Sequence, residues 1–242
     1  MSSVKANQPY SFQQSGSFTP LLFQGEGMGV RRTFSFLQKS RVGGRVNFLL
    51  LLFLFPVFAF AQDSQNIKNG IAKMNEGNYD VAIMEFSKAS EINPKNADAW
   101  YYMGEVYFLQ KEDKKAMENY TKSIDLDTLN AKAYKGRGKL KARLEDYHGS
   151  IDDFTTAVKI DKLYSDAYFN RASSYLLLKN YKASIEDYSR VIQINKKDFQ
   201  AYEQRGTARF QSGDTQGACK DWSKAGELGD MKIYEIIKKN CK

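Results

Sequence analysis

Residues 97–130 read ADAWYYMGEVYFLQKEDKKAMENYTKSIDLDTLN, and residues 165–198 read SDAYFNRASSYLLLKNYKASIEDYSRVIQINKKD. Aligned at their first residues, both place a small residue at position 8 (Gly104, Ala172), another at position 20 (Ala116, Ser184) and a ring at position 24 (Tyr120, Tyr188). The frame extends both ways: units 63–96, 97–130, 131–164, 165–198 and 199–232 follow one another every 34 residues. Position 8 is Gly70, Gly104, Gly138, Ala172 and Gly206, and position 20 is Ala82, Ala116, Ser150, Ser184 and Ala218. Position 24 is Phe86, Tyr120, Phe154, Tyr188 and Trp222, and position 4 is aromatic in the second to fifth units (Trp100, Tyr134, Tyr168, Tyr202). A fixed period of this length marks a stacked architecture in which each unit buries its apolar face against its neighbours.

The spacing predicts two helices per unit. Positions 4, 7, 8 and 11 fall on one stripe of a first helix, and 20, 21, 24, 27 and 28 on one stripe of a second. Small residues at 8 and 20 let the two backbones approach closely, with the ring at 24 filling the space beside them. Turn formers separate the helices, among them Gly77-Asn78, Glu145-Asp146, Lys179-Asn180 and Gly213-Asp214. Polar loops such as Asn93-Pro94-Lys95-Asn96 join the units, and Pro94 stops the second helix of the first.

This pattern resembles the tetratricopeptide (TPR) family: an aromatic at 4, Gly or Ala at 8, Ala at 20, an aromatic at 24, Ala at 27 and Pro at 32. The resemblance covers Asp63 to about Met231. It departs from the family at Asn66 in place of an aromatic, at Val191 in position 27, and in keeping the proline only in the first unit. It implies an all-α fold, an α–α superhelix (right-handed solenoid) of five helix pairs, and a role in binding proteins rather than in catalysis.

Beyond Gly229, residues 231–242 place Ile233, Ile236 and Ile237 at helical spacing and Lys238, Lys239 and Lys242 near the end. This segment reads as a capping helix over the fifth unit, its lysines suited to the negative end of the helix dipole. Cys219 stands at position 21, where other units carry Ile or Met, and Cys241 lies near the C-terminus. Two readings stand open: a small core residue with a terminal thiol, or a disulfide tying the cap to the last repeat. The bridge is the expected one, because the two cysteines lie at similar distances from the turn around Leu228–Met231. The run from Cys219 to Gly229 also resembles the closing unit of exported repeat proteins of the Bacteroidota type.

The front of the chain reads as an export signal. Basic residues from Arg31 to Arg45 precede the apolar run Val46–Phe60, which ends at Ala59-Phe60-Ala61. A cationic start, an apolar core and an A-x-A site over 28–61 make a secretory signal peptide cleaved after Ala61. The run is shorter than the ~20 residues a membrane-spanning helix needs, so no span is expected after cleavage. Arg31-Arg32 offers a twin-arginine alternative, which the Leu- and Phe-rich run disfavours. Residues 1–27 lack any period and read as a disordered upstream extension, with Met28 the natural start. The expected location is the periplasm or cell envelope.

Charge and chemistry narrow the function. The formal net charge is +8, but residues 1–61 hold six basic side chains and one acid, leaving 30 basic and 27 acidic residues beyond them. A near-neutral body argues against nucleic acid as a partner. The single histidine, His148, beside Gly149 in a polar turn, and two cysteines suit neither a zinc site nor a nucleophilic triad. No cofactor is expected. Acid pairs such as Glu118 with Asp125, or Asp152-Asp153, invite a glycosidic reading, but as exposed positions they read as solvated charge.

In the family the concave wall is formed by first-helix positions 2, 5, 6, 9, 12 and 13. Carried over, these include Tyr101, Glu105 and Phe108 in the second unit, Lys132, Lys135, Lys139 and Arg143 in the third, and Phe169, Asn170 and Ser173 in the fourth. The four cations recur at spacings of three and four, hence on one helical face. They are expected to receive an acidic side chain or C-terminal carboxylate of a protein or peptide partner, with the neighbouring rings taking apolar anchors. The competing reading is a lysine-rich solvated face. A carboxylate-clamp assignment is not made, because only Lys135 and Asn170 match its pattern. Two roles fit such a groove: an extracytoplasmic adaptor, or a non-catalytic accessory subunit of an envelope enzyme or assembly complex.

Overall fold

A computed structural model of the chain describes residues 48–241, with side chains from Gln62 onward. The described residues form eleven α-helices: α1 (Phe48–Asn75), α2 (Tyr79–Ile92), α3 (Ala97–Leu109), α4 (Asp113–Leu126), α5 (Ala131–Arg143), α6 (Tyr147–Ile160), α7 (Ser165–Leu177), α8 (Tyr181–Ile194), α9 (Phe199–Gln211), α10 (Thr215–Glu227) and α11 (Ile233–Asn240). They are the five helix pairs and the cap that the 34-residue period predicts. Most of the expected signal segment and the upstream extension lie outside the described residues. Its last part, from Phe48, is helical and runs through Pro56 and the expected cleavage point without a break. Among the described residues no helix is long and apolar enough to cross a membrane.

The turns inside the units obey one rule. Position 15 takes a left-handed backbone in all five: Gly77 (φ 76°), Lys111 (62°), Glu145 (64°), Lys179 (60°) and Gly213 (94°). The amides that follow reach back to the open carbonyls of the first helix, as when Glu112 N donates to Tyr107 O and Asn180 N to Tyr175 O. Side-chain caps start the next helix: Asp146 accepts from Gly149 N, Asn180 from Ala183 N and Asp214 from Gly217 N.

The core forms where the position-24 ring meets the position-8 glycine. A Cβ on Gly104 would lie 2.7 Å from the Tyr120 ring, one on Gly138 2.8 Å from Phe154, and one on Gly206 2.6 Å from Trp222. The glycine therefore makes room for the ring itself, a more specific role than the close approach of backbones read from the sequence. Tyr120 is gripped from both sides, because Gly136 of the next unit faces the same ring. Phe86, Tyr120, Phe154 and Tyr188 are fully buried, each stabilising its unit by about 2–3 kcal/mol of apolar transfer.

A second lattice of contacts fixes the stacking. Arg171 donates through Nε and Nη2 to both Asp187 oxygens and through Nη1 to Thr155 of the preceding unit. Arg137 does the same with Asp153 and Thr121, and Arg205 with Asp221 and Ser189. Each guanidinium also lies over the position-4 tyrosine of its own unit, Tyr134, Tyr168 or Tyr202. The planar fork suits this task, since two prongs hold the carboxylate and the third reaches the neighbour.

Candidate functional site: the inner wall

Successive first helices touch one another (α1 with α3, α3 with α5, α5 with α7, α7 with α9), while no comparable contact joins successive second helices. The first helices thus form the inner wall and the second helices the outer. Along that wall position 12 is apolar in every unit: Met74, Phe108, Ala142, Leu176 and Phe210. Of these Phe210 is exposed and the others are half-buried, and Leu109 and Leu177 at position 13 are exposed beside them. One edge of the wall therefore carries an apolar lane, narrowed in the middle where the third unit offers only Ala142 and Arg143 lies over Phe108.

The cations stand beside it. Lys139 Nζ lies 5.0 Å above the Phe108 ring, and Lys135 Nζ lies 5.8 Å from that of Tyr164. Lys132 is exposed. None of these three has a carboxylate partner among the described residues. Arg143 is placed differently. Its guanidinium covers Phe108 at 3.8 Å, pairs with Asp113 and donates to the Phe108 carbonyl at 2.9 Å. It fastens the third unit to the turn of the second.

The floor between these units includes buried polar groups. Tyr120 Oη donates to Glu105 Oε1 at 2.6 Å. Tyr101 is only 6% exposed and packs in the same cluster as Tyr120. Burial, then the charge of Glu105, holds both phenols well above the usual tyrosine range. Tyr101 thus contributes to the wall from beneath, as a support for Glu105. In the fourth unit Phe169 packs edge-on against Tyr188 with centroids 5.2 Å apart, Ser173 and Tyr188 share a 2.8 Å hydrogen bond, and Asn170 donates to Asp166 O.

The structure corrects two readings and decides a third. Asp153 is 4% exposed and held by Arg137 and Lys141, so it is not the solvated charge its sequence context suggested. His148 is exposed but lies in the first turn of α6 rather than in the turn before it. Of the two readings for the cysteines, the bridge is the one found: Cys219 and Cys241 are disulfide-bonded with Cα atoms 5.7 Å apart. The three Arg–Asp forks were missed from the sequence, although they obey the same 34-residue period.

Comparison with known proteins agrees with this geometry. A family model described as "TPR repeat" matches residues 70–111, and models described as "Tetratricopeptide repeat" match 97–130 and 165–198, the frames of the second and fourth units. No curated protein sequence matches the chain. Among solved structures, that of a MamA protein superposes with a TM-score of 0.61 at 26% identity, over 72% of this chain and 94% of that one. PilF of Pseudomonas aeruginosa gives 0.68 at 19% identity over 74% and 86%. YrrB, described as a TPR protein with an unusual peptide-binding site, gives 0.61 at 18% over 72% and 90%. The last two show the fold alone.

Proposed function

We propose that this chain, built of tetratricopeptide repeats, is a non-catalytic adaptor that works outside the cytoplasm and holds a protein or peptide partner along its inner wall. One observation carries the reading. Lys132, Lys135 and Lys139, all on α5, have no carboxylate partner among the described residues, whereas Arg137, Lys141, Arg143, Arg171, Arg205 and Arg209 are all paired. Unpaired cations beside an apolar lane suit a segment that presents an acidic side chain or terminal carboxylate together with apolar anchors. Lys132, Lys135 and Lys139 meet the acid, with Phe108, Phe169 and the exposed leucines beside them. Asn170, Ser173 and Glu105 fix register through polar contacts. The signal-like front end and the Cys219–Cys241 bridge support an oxidising, extracytoplasmic location.

The test is cross-linking in the native envelope with mass-spectrometric identification, comparing the natural protein with the Lys135→Glu, Lys139→Glu double variant. A partner recovered by the first should fall by about tenfold or more with the second at low salt, while helical circular dichroism stays the same. Equal recovery from both would remove the cationic band from the interface.

A further inference from the structure

Every repeat junction from the second unit onward is fastened by an Arg fork, but the C-terminal cap is attached in another way. Among the described residues no hydrogen bond or ion pair joins an α11 side chain to the repeats; Asn240 bonds Ile236 O within the helix, and Lys232 N bonds Asp230 in the turn before it. What seats α11 is apolar: Ile233 at 1% exposure, with Ile236 and Ile237 half-buried against Ala218, Trp222 and Ala225. Tyr234 lies over Gly226, where a Cβ would come within 2.9 Å of its ring. The helix has eight residues, too few to persist alone in water. The link from α10 runs through Gly229 at φ 112° and an exposed Met231. Against so slight a hold, the covalent bond at the far end of the cap is the decisive attachment.

We infer that the Cys219–Cys241 disulfide is a redox-sensitive latch: oxidised, it keeps α11 closed over the last repeat, and reduced, it lets the cap lift and uncovers Trp222. The cap also forms one wall of a shallow cleft of about 400 Å³, through Ile236 and Lys239, opposite Thr207, Phe210 and Trp222 of the last repeat. Opening the latch dismantles that cleft and changes the end of the inner wall. Neither consequence depends on the proposed partner.

The reductant is a dithiol. One thiolate attacks one sulfur of the bridge, and the other cysteine leaves as a thiolate and takes up a proton. The second thiol then resolves the mixed disulfide, so two electrons and two protons pass to the protein and the reductant becomes a disulfide. Cys219 and Cys241 are 22 residues apart, and neither is fully buried. Losing a cross-link of this span shifts the closing equilibrium on the order of 100-fold.

Amide hydrogen exchange on the full chain, with and without dithiothreitol, tests the latch. The expected result is at least roughly tenfold faster exchange across 233–240 on reduction, unchanged protection in α5–α8, and recovery on reoxidation. Cys241→Ser should exchange like the reduced protein and ignore the reductant. A Trp100→Phe variant leaves Trp222 as the sole tryptophan, whose emission should shift to the red on reduction. Unchanged cap protection in the reduced protein, or a loss of protection in all units together, would overturn the latch.

Discussion

Arg171 and Asp187 meet through two hydrogen bonds of 2.7 and 2.8 Å, in a site where burial pushes the Asp187 carboxyl above its usual range although Arg171 opposes the shift. The guanidinium is what makes that carboxylate tolerable. Replacing Arg171 by Met should destabilise the protein by about 2–4 kcal/mol, because it strands a buried charge. The double variant Arg171→Met, Asp187→Leu should recover most of the loss. Urea unfolding of the four members of the cycle measures both.

At position 8 of the third unit glycine leaves room for the Phe154 ring that a methyl group there would occupy. Gly138→Ala should cost about 1–3 kcal/mol, since its methyl would press on Phe154. Ala172, which already fills the same position in the fourth unit, should tolerate the converse change to glycine with a smaller loss, about 1 kcal/mol. Thermal melts of the two variants should rank them in that order.

The turn residues Lys111, Glu145 and Lys179 hold a backbone that side-chain-bearing residues avoid, while the first and fifth units use glycine there. Each change to glycine should raise stability by about 0.5–1 kcal/mol. Gly213→Ala should lower it by a similar amount. Chemical denaturation midpoints with an unchanged slope are the readout.

Four phenols make the fold sensitive to alkali. Tyr188 is pushed up to about 12 by burial, and burial also carries Tyr101, Tyr120 and Tyr164 upward, reinforced by Glu105 for the first two and Asp166 for the third. A raised folded pKa means the unfolded chain loses its protons first. Their contribution is therefore complete below about pH 10 and disappears as the pH climbs through the folded values. Melting temperature followed from pH 8 to 12 should hold and then fall beyond about pH 10. Tyrosinate absorbance from these residues should appear together with loss of helix.

The architecture was legible because small residues and rings recur in every unit, a signal that survives substitutions such as Asn66. The forks were written with the same period but in only three units. Asn69 with Glu85, and Met103 with Asn119, stand in their places in the first two, so the column is broken where reading begins. Asp153 and its counterparts also look like ordinary surface acids until the packing of second helix against first shows what covers them. Groove residues were harder. Whether Arg143 is engaged depends on Asp113 and the Phe108 carbonyl, 30 and 35 residues away in sequence, and local spacing does not report on that.

The uneven distribution of the forks gives the protein a mechanical grain. Between the first two units the corresponding contact is only a 3.7 Å approach of Ser87 Oγ to the Met103 sulfur, whereas each later junction carries a guanidinium bridge. Pulled from its two termini, the molecule should yield first beside α1 and α2, with the remaining repeats extending at higher force. A tether fixed at the N-terminal end would then be joined to the rest through its most compliant hinge.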